Sequence, residues 1–532
     1  MNTYSHYRPA ASLVACCILI QAICAAVASP PTAATMPALR PLGQPNVFAA
    51  RKYAPMPLPT FADSRDKLPQ PIVADHPEWE RLYWKAWELA FRNLKQPEPA
   101  SGFVSNFIDP AFNQNTFQWD SCFMVLFANY AEPSFHAIGS LDNFYTKQHP
   151  DGFIMREITR ATGQDFHFGS PDDFANPPLF SWVEWQSYLM TGDRSRFRDV
   201  LPALVKHYRW LQENRRREDG FYWNTGLGSG LDDLRRGPAA DWLDTTSQQA
   251  QNAYYIAMIA DSIGERATAE YFRAENRRLA DMVNRRMWDE ETGFYYDLRA
   301  DGTPTRVKTV LGFWPLLARI ASPEQAARLA RRLSDEREFW RPDVVPALAA
   351  DQDGYTPDGQ YWNGAVWAPT DYMAVKGLQA YGYEDLASRV TARYLANMTQ
   401  VLETTGTIWE NYAPEKPVGH GVRDMVGWSG VGPIALLIEN ILGVRGQAAD
   451  GGVLWRPRLR GANGVRGLTV GKVRVTLIAG PLSRGKRSLT MTVDHPLTVT
   501  VDTGIGTPKA FRLSPGTFQT VERFQARDVL RD

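Results

Sequence analysis

Four stretches of the chain combine carboxylates with aromatic side chains in a way that could do chemistry. "FQWDSCF" holds Trp119 and Asp120, and "GLGSGLDDLRRG" holds Asp232 and Asp233 ahead of Arg235 and Arg236. "DQDGYTPDGQYWNGAVWAP" holds Asp351 and Asp353 with Trp362, Asn363 and Trp367. "GTIWENYAPEKPVGHGVRDMVGWSG" holds Glu410, Tyr412 and Trp428. A tryptophan directly before an acid, as at Asp120 and Glu410, sets a carboxyl group against an apolar wall, where lost hydration raises its pKa. Two separated carboxyl groups in one hollow are what glycosidic hydrolysis requires. One protonates the leaving oxygen, and the other activates water or attacks the anomeric carbon. Taken singly, any of these acids is more often a loop cap or salt-bridge partner, and Asp233, Asp351 and Asp353 also suit Asx-type turns. Only the joint pattern carries the reading.

Other chemistries find less support. The eight His are scattered and none forms HExxH, which argues against a zinc hydrolase. "GLGSG" is one position out of step with G-x-S-x-G, and no Gly-Lys-Ser/Thr follows it, so the serine-nucleophile and phosphate-cradle readings weaken. No metal and no cofactor is called for. Cys122, in the apolar context "SCFMVLF", reads as a buried structural thiol.

The elements that must position these residues are mainly helical. From Pro77 to about Leu442 apolar residues recur at helical spacing; Leu201, Leu204, Val205, Tyr208 and Leu211 form one such stripe. "SPEQAARLARRL" offers Ser322 as N-cap, Pro323 at the first helical position and Gln325 to close a capping box. In "YLMTGDRSRF", "ADSIGERATA" and "LQAYGYEDLA" a helix stops at Gly and another begins within a few residues. These helical hairpins recur without a fixed period, which argues against a solenoid and for a ring of hairpins whose long loops converge on one end. After Gly443 the pattern alternates apolar and polar β-branched residues, so 446–532 is expected to form a small antiparallel β domain with a packing or accessory role.

The N-terminus reads as a signal peptide over residues 1–28: Arg8, an apolar run, then the small-residue site Ala26-Val27-Ala28. "LVAC" ending at Cys16 also matches a lipoprotein box, but the apolar stretch before it is short. Residues 29–75 are Pro- and Ala-rich and are expected to form an extended leader. Three of the four Cys fall inside the signal, so one thiol remains and no internal disulfide can form. A periplasmic or secreted protein with no membrane span in the mature chain is expected. Lys plus Arg equals Asp plus Glu, 58 each, so nothing in the net charge calls for nucleic acid, and a small uncharged oligosaccharide or glycoside fits better.

The ordered set "QWDSCF", "NPPLFSWVEWQ", "SGLDDLRR", "YWNGAVWAP" and "GTIWENYAP…GWSG" resembles glycoside hydrolase family 63, and more distantly the trehalases, over about residues 75–445. The resemblance implies an (α/α)6 barrel, over residues 76–445, that hydrolyses an α-linked glucoside or related glycoside with inversion. It implies Asp232 as general acid and Glu410 as general base. Trp119 and Asp120 would line the terminal-sugar subsite, with Trp362, Trp367 and Trp428 as further walls; Asn363 and Tyr412 fall in the same motifs. Asp233 and Arg236 would support the acid or contact hydroxyls. Arg235 stands where relatives have proline, Asn363 where many have arginine, and Gly228 where trehalases have glutamate, which bears on the substrate more than on the chemistry. Two alternatives stay in view: an (α/α)-barrel polysaccharide lyase, which would use a Tyr or His base with a neutralising Asn or Arg, and a carbohydrate-binding protein without catalysis.

Overall fold

The computed structural model describes residues 36–525 apart from 111 and 133; the signal peptide read over 1–28 lies outside the described residues. The chain from Pro77 to Ile441 is helical, and its helices differ by burial. Gln118–Ala128 and the π-type segment Gly432–Ile441 are buried at every position, and Leu243–Ser262 and Ala368–Ala380 at most. Pro77–Arg92, Phe197–Asn214, Arg266–Arg286, Pro323–Leu333 and Glu384–Thr405 instead carry one apolar stripe each. All-round burial marks inner helices and a single stripe marks an outer helix packed on them. The stripe at Leu201, Leu204, Val205, Tyr208 and Leu211 is buried as its spacing requires.

Local signals set the element ends. The capping box at Ser322 forms, with Ser322 accepting from Gln325 N–H and Gln325 accepting from Ser322 N–H. Gly192 closes the helix Phe180–Thr191 in the left-handed conformation at φ 69°. Helices on either side of Gly264 and Gly382 follow each other after three residues, which folds them into antiparallel hairpins.

Beyond the helices lie two sheets. One has strand order Gln70–Val73, Asn463–Val470, Val473–Ala479, Lys486–Val493, Gly516–Arg523; the other Val444–Gln447, Gly452–Trp455, Leu497–Val501, Lys509–Leu513. Alternate residues such as Leu497, Val499 and Val501 are buried, as a one-sided strand requires. The pairing is mainly antiparallel, as expected, but Gly452–Trp455 runs parallel to Leu497–Val501, across a crossover of about forty residues.

Residues 36–75 are not a free extended leader. Phe48 is fully buried and packs on Tyr145, Asn46 Nδ2 donates to Tyr145 O at 2.7 Å, and Thr146 Oγ1 donates to Phe48 O at 2.6 Å. Gln70–Val73 then pairs with Asn463–Val470, so the first described strand completes a sheet built from the other end of the sequence.

Candidate active site

A cavity of about 600 Å³ opens where the inner helices begin. Trp119 and Asp120 lie in the first turn of Gln118–Ala128, and Asn176 lies just before Phe180–Thr191. Leu227 to Asp232 precede Leu243–Ser262, Tyr361 to Trp367 precede Ala368–Ala380, and Glu410, Val422 and Trp428 precede Gly432–Ile441. Seven residues singled out from the sequence, Trp119, Asp120, Asp232, Trp362, Trp367, Glu410 and Trp428, therefore meet on one wall system.

Asp232 follows a short glycine-rich turn, Gly226–Ser229, which Thr225 caps by accepting from Gly228 N–H. The glycines serve close packing. Gly230 sits at φ 80°, and a Cβ there would lie 3.1 Å from the Trp119 ring, so the turn lies flat on that indole only without a side chain. The Asp232 surface opens into the cavity, but protein encloses the carboxyl on its other sides, and the lost hydration pushes its pKa up to about 6, against the opposing pull of the Arg156 guanidinium. Tyr361 Oη donates a long hydrogen bond, 3.4 Å, to Asp232 Oδ2. Tyr361 itself holds φ 49°, an uncommon conformation for a bulky residue and one that clusters at functional sites.

Glu410 stands on a two-stranded ribbon, Trp409–Tyr412 with Gly419–Arg423. The ladder slips opposite Glu410, so that Gly421 and Val422 form a bulge facing it. Val422 N–H donates to Glu410 Oε2 at 2.8 Å, and a Cβ on Gly421 would fall 2.0 Å from that oxygen. Burial raises the Glu410 pKa above the usual carboxylate value, the Val422 hydrogen bond draws it back, and the charge of Asp232 adds a smaller rise. Asp120 is pushed well above its usual range by burial, with Asp232 and Glu410 adding to the effect. Its Oδ1 has no hydrogen-bond partner among the described residues, which leaves an acceptor free for a hydroxyl.

Aromatic walls complete the hollow. The Trp362 and Trp367 rings stack at 3.9 Å and 8°, and Trp428 lies 6.0 Å from Trp367. Such faces suit the apolar faces of sugar rings.

Asp233, Arg236, Asn363, Tyr412, Asp351 and Asp353 do not line the cavity. Arg236 is buried with its guanidinium held by two carboxylates: Nε and Nη2 donate to Asp297, and Nη1 and Nη2 to Asp244, while Trp242 packs 3.8 Å away. Four of its five N–H groups bind these carboxylates and it does not line the cavity, so of the two expected roles, support of the acid or contact with hydroxyls, its place suits support. Asp233 accepts from Trp362 N–H at 3.1 Å and from Asn363 Nδ2 at 3.0 Å, while Asn363 Oδ1 accepts from Arg235 N–H. Asp233 and Asn363 thus tie the acid's loop to the Trp362 loop. Tyr412 is fully buried and its hydroxyl accepts from Trp409 N–H, which fixes the ribbon beneath Glu410. Asp351 pairs with Lys308, away from the cavity.

Several lining residues escaped the sequence reading, among them Arg156, Glu157, Tyr361, Val422, Phe166 and Phe168. Tyr361 was within reach, as the neighbour of Trp362 in "QYWNGAVW". The rest carry no local signal. Among the described residues, no cluster of three or more His, Cys, Asp or Glu side chains is placed to hold a metal ion. Cys122 is buried and unpaired, and burial pushes its thiol up, away from reactive thiolate.

A helical body whose loops bring separated carboxyl groups and tryptophan faces to one hollow defines the class of carbohydrate-processing hydrolases. Residues 113–429 match the family model described as the mannosylglycerate hydrolase MGH1-like glycoside hydrolase domain, and the chain belongs to that family, within glycoside hydrolase family 63. It is 27% identical over 384 residues to an uncharacterized protein of Borreliella burgdorferi, covering 69% of this chain and 80% of that one. It is 23% identical over 412 residues to a probable mannosyl-oligosaccharide glucosidase of Schizosaccharomyces pombe, covering 61% of this chain and 49%, about half, of that protein. A mannosylglycerate hydrolase of Thermus thermophilus, solved with glucose, shares the fold with a TM-score of 0.54 at 22% identity, over 66% of this chain and 99% of that one.

Proposed function

We propose that the chain is an exported hydrolase of an α-linked glucoside or related α-glycoside, acting by a single displacement with inversion in a helical barrel of the (α/α)6 type. The observation that carries this reading is the pairing of Asp232 and Glu410, distant along the chain, on one tryptophan-walled cavity and held by different means. Asp232, protonated up to about pH 6, gives its proton to the glycosidic oxygen as the bond to the anomeric carbon breaks. Glu410, ionised, takes a proton from a water that attacks the same carbon from the other face. The products are a free sugar of inverted configuration and a free alcohol, with one water consumed. Such a pair works with roughly 6.5–9.5 Å between carboxyl groups, enough to admit that water. Asp120 accepts a hydroxyl of the terminal sugar, and the tryptophans stack on its ring.

A lyase reading would place Tyr361 as base beside Arg156. Burial and the neighbouring carboxylates Asp232, Glu410 and Asp120 push the Tyr361 phenol up from its ordinary value, which disfavours the phenolate such a base needs. Purified protein incubated with a panel of α-linked glucose and mannose oligosaccharides tests the proposal: release of a reducing sugar supports it, and an ultraviolet-absorbing unsaturated product or no cleavage across the panel contradicts it. Export predicts a mature N-terminus at Ser29 when the periplasmic fraction is sequenced.

A further inference from the structure

Eight large apolar side chains stand exposed among the described residues, and three of them, Phe166, Phe168 and Tyr361, line the same cavity. Phe166 is 39% and Phe168 55% exposed, so two phenylalanines forgo the burial that folding favours. An exposed aromatic pair at the mouth of a ligand hollow is a contact surface for something that covers it.

The pair is built, not dangling. Glu157–Thr159 pairs with Asn115–Phe117, the chain turns back with Thr159 N–H donating to Gln164 O, and Phe166 N–H donates to Glu157 O at 2.9 Å. Arg156 Nη2 donates to Phe168 O at 3.1 Å, and the His167 ring packs edge-on against Phe174 at 4.9 Å. Ser170 and Asp173 close a capping box just beyond, over the turn Pro171–Phe174.

This segment belongs to the acid's side of the cavity. Gly169 abuts Leu227, five residues before Asp232; a Cβ on Gly169 would lie 3.1 Å from Leu227 Cδ1. Arg156, which holds the Phe168 carbonyl, also acts on Asp232, whereas Glu410 is held by Val422 on the ribbon. In a displacement of the kind proposed above, the leaving group departs on the acid's side. We propose that Phe166 and Phe168 form a leaving-group platform that selects substrates whose leaving group carries an apolar ring face, such as a second sugar, over those with a small acyclic one. This rests on the hydrolase reading for the direction of departure, and on exposure and geometry for the platform itself.

The test compares kcat/KM for an α-linked glucose disaccharide and for methyl α-glucoside, with the corresponding mannose pair in parallel. The wild type is expected to favour the disaccharide, and the ratio of the two values to fall about tenfold in Phe166→Ala/Phe168→Ala while Phe168→Trp largely keeps it. A ratio unchanged within about twofold in the double variant, or a wild type that prefers the methyl glycoside, overturns the platform. Calorimetry on Asp232→Asn separates this from failure of the hydrolase reading. Its Kd for the disaccharide should weaken about tenfold when Phe168→Ala is added, and an unchanged Kd sinks the platform whether or not the wild type turns over.

Discussion

The two carboxyl groups of the cavity are mounted differently. Asp232 rides an irregular loop whose anchors are side chains from elsewhere: Arg236 clamped between Asp244 and Asp297, and Asn363 bound to Asp233. Glu410 rides a ribbon and is held by backbone, through Val422 N–H and the space that Gly421 leaves. Backbone donors favour the ionised carboxylate, while an open, weakly bonded and desolvated carboxyl keeps its proton. Burial raises both carboxyls, and the Val422 bond draws Glu410 partly back, which suits the proposed division of acid at Asp232 and base at Glu410.

Removing either group should have the largest effect. Asp232→Asn and Glu410→Gln should each lower kcat by roughly 100- to 10,000-fold. The comparison sharpens with an aryl glycoside whose leaving group needs no proton: steady-state kinetics should show the Asp232→Asn deficit shrinking and the Glu410→Gln deficit persisting. Near-normal turnover in Asp232→Asn would move the acid elsewhere, with Asp233 next to be tested. Arg236→Met breaks the acid's side-chain mount and leaves Asp244 and Asp297 buried without their cation, so urea denaturation should show a loss of about 3–5 kcal/mol. Gly421→Ala attacks the base's backbone mount. With φ 75° and a Cβ against Glu410 Oε2, it should displace the carboxylate and cost about 100-fold in kcat while unfolding shifts less than in Arg236→Met. Pro substitution at Val422, which deletes the N–H, would break the same mount by another route.

The smallest effect is on pH. Asp232 acts when protonated, so kcat/KM should fall as pH rises through about 6, and Glu410 acts when ionised, so it should fall again as pH drops through its own raised pKa. Arg156 holds the Asp232 pKa down, so Arg156→Gln should move the alkaline limb to higher pH and leave the acid limb in place. An unmoved alkaline limb would show that Asp232 does not set it.

Much of this was legible in the sequence, and the rest was not, for physical reasons. The striped helix carrying Leu201 to Leu211, the hairpin breaks at Gly and the Ser322 capping box follow from local periodicity and cap chemistry. The seven cavity residues were readable because Trp and carboxylates recur together in short motifs, which fall at or just ahead of the starts of buried helices. Arg236 and Tyr412 were placed in the same motifs but point into packing, and their partners Asp244, Asp297 and the Trp409 backbone are visible only once the chain folds back. Arg156, Val422 and the Phe166–Phe168 pair become functional only through tertiary approach, and no spacing rule announces that. Gln70–Val73 hides in a Pro-rich stretch because four residues are too few to show a period, and its partner strand lies hundreds of residues away.

The most direct test of the acid–base pair follows the anomeric proton of the first product by NMR, within seconds of adding enzyme to an α-linked disaccharide. The arrangement of Asp232 and Glu410 predicts that the β-anomer appears first and then mutarotates. An α-anomer as first product would mean retention through a covalent intermediate, and the single displacement would be wrong.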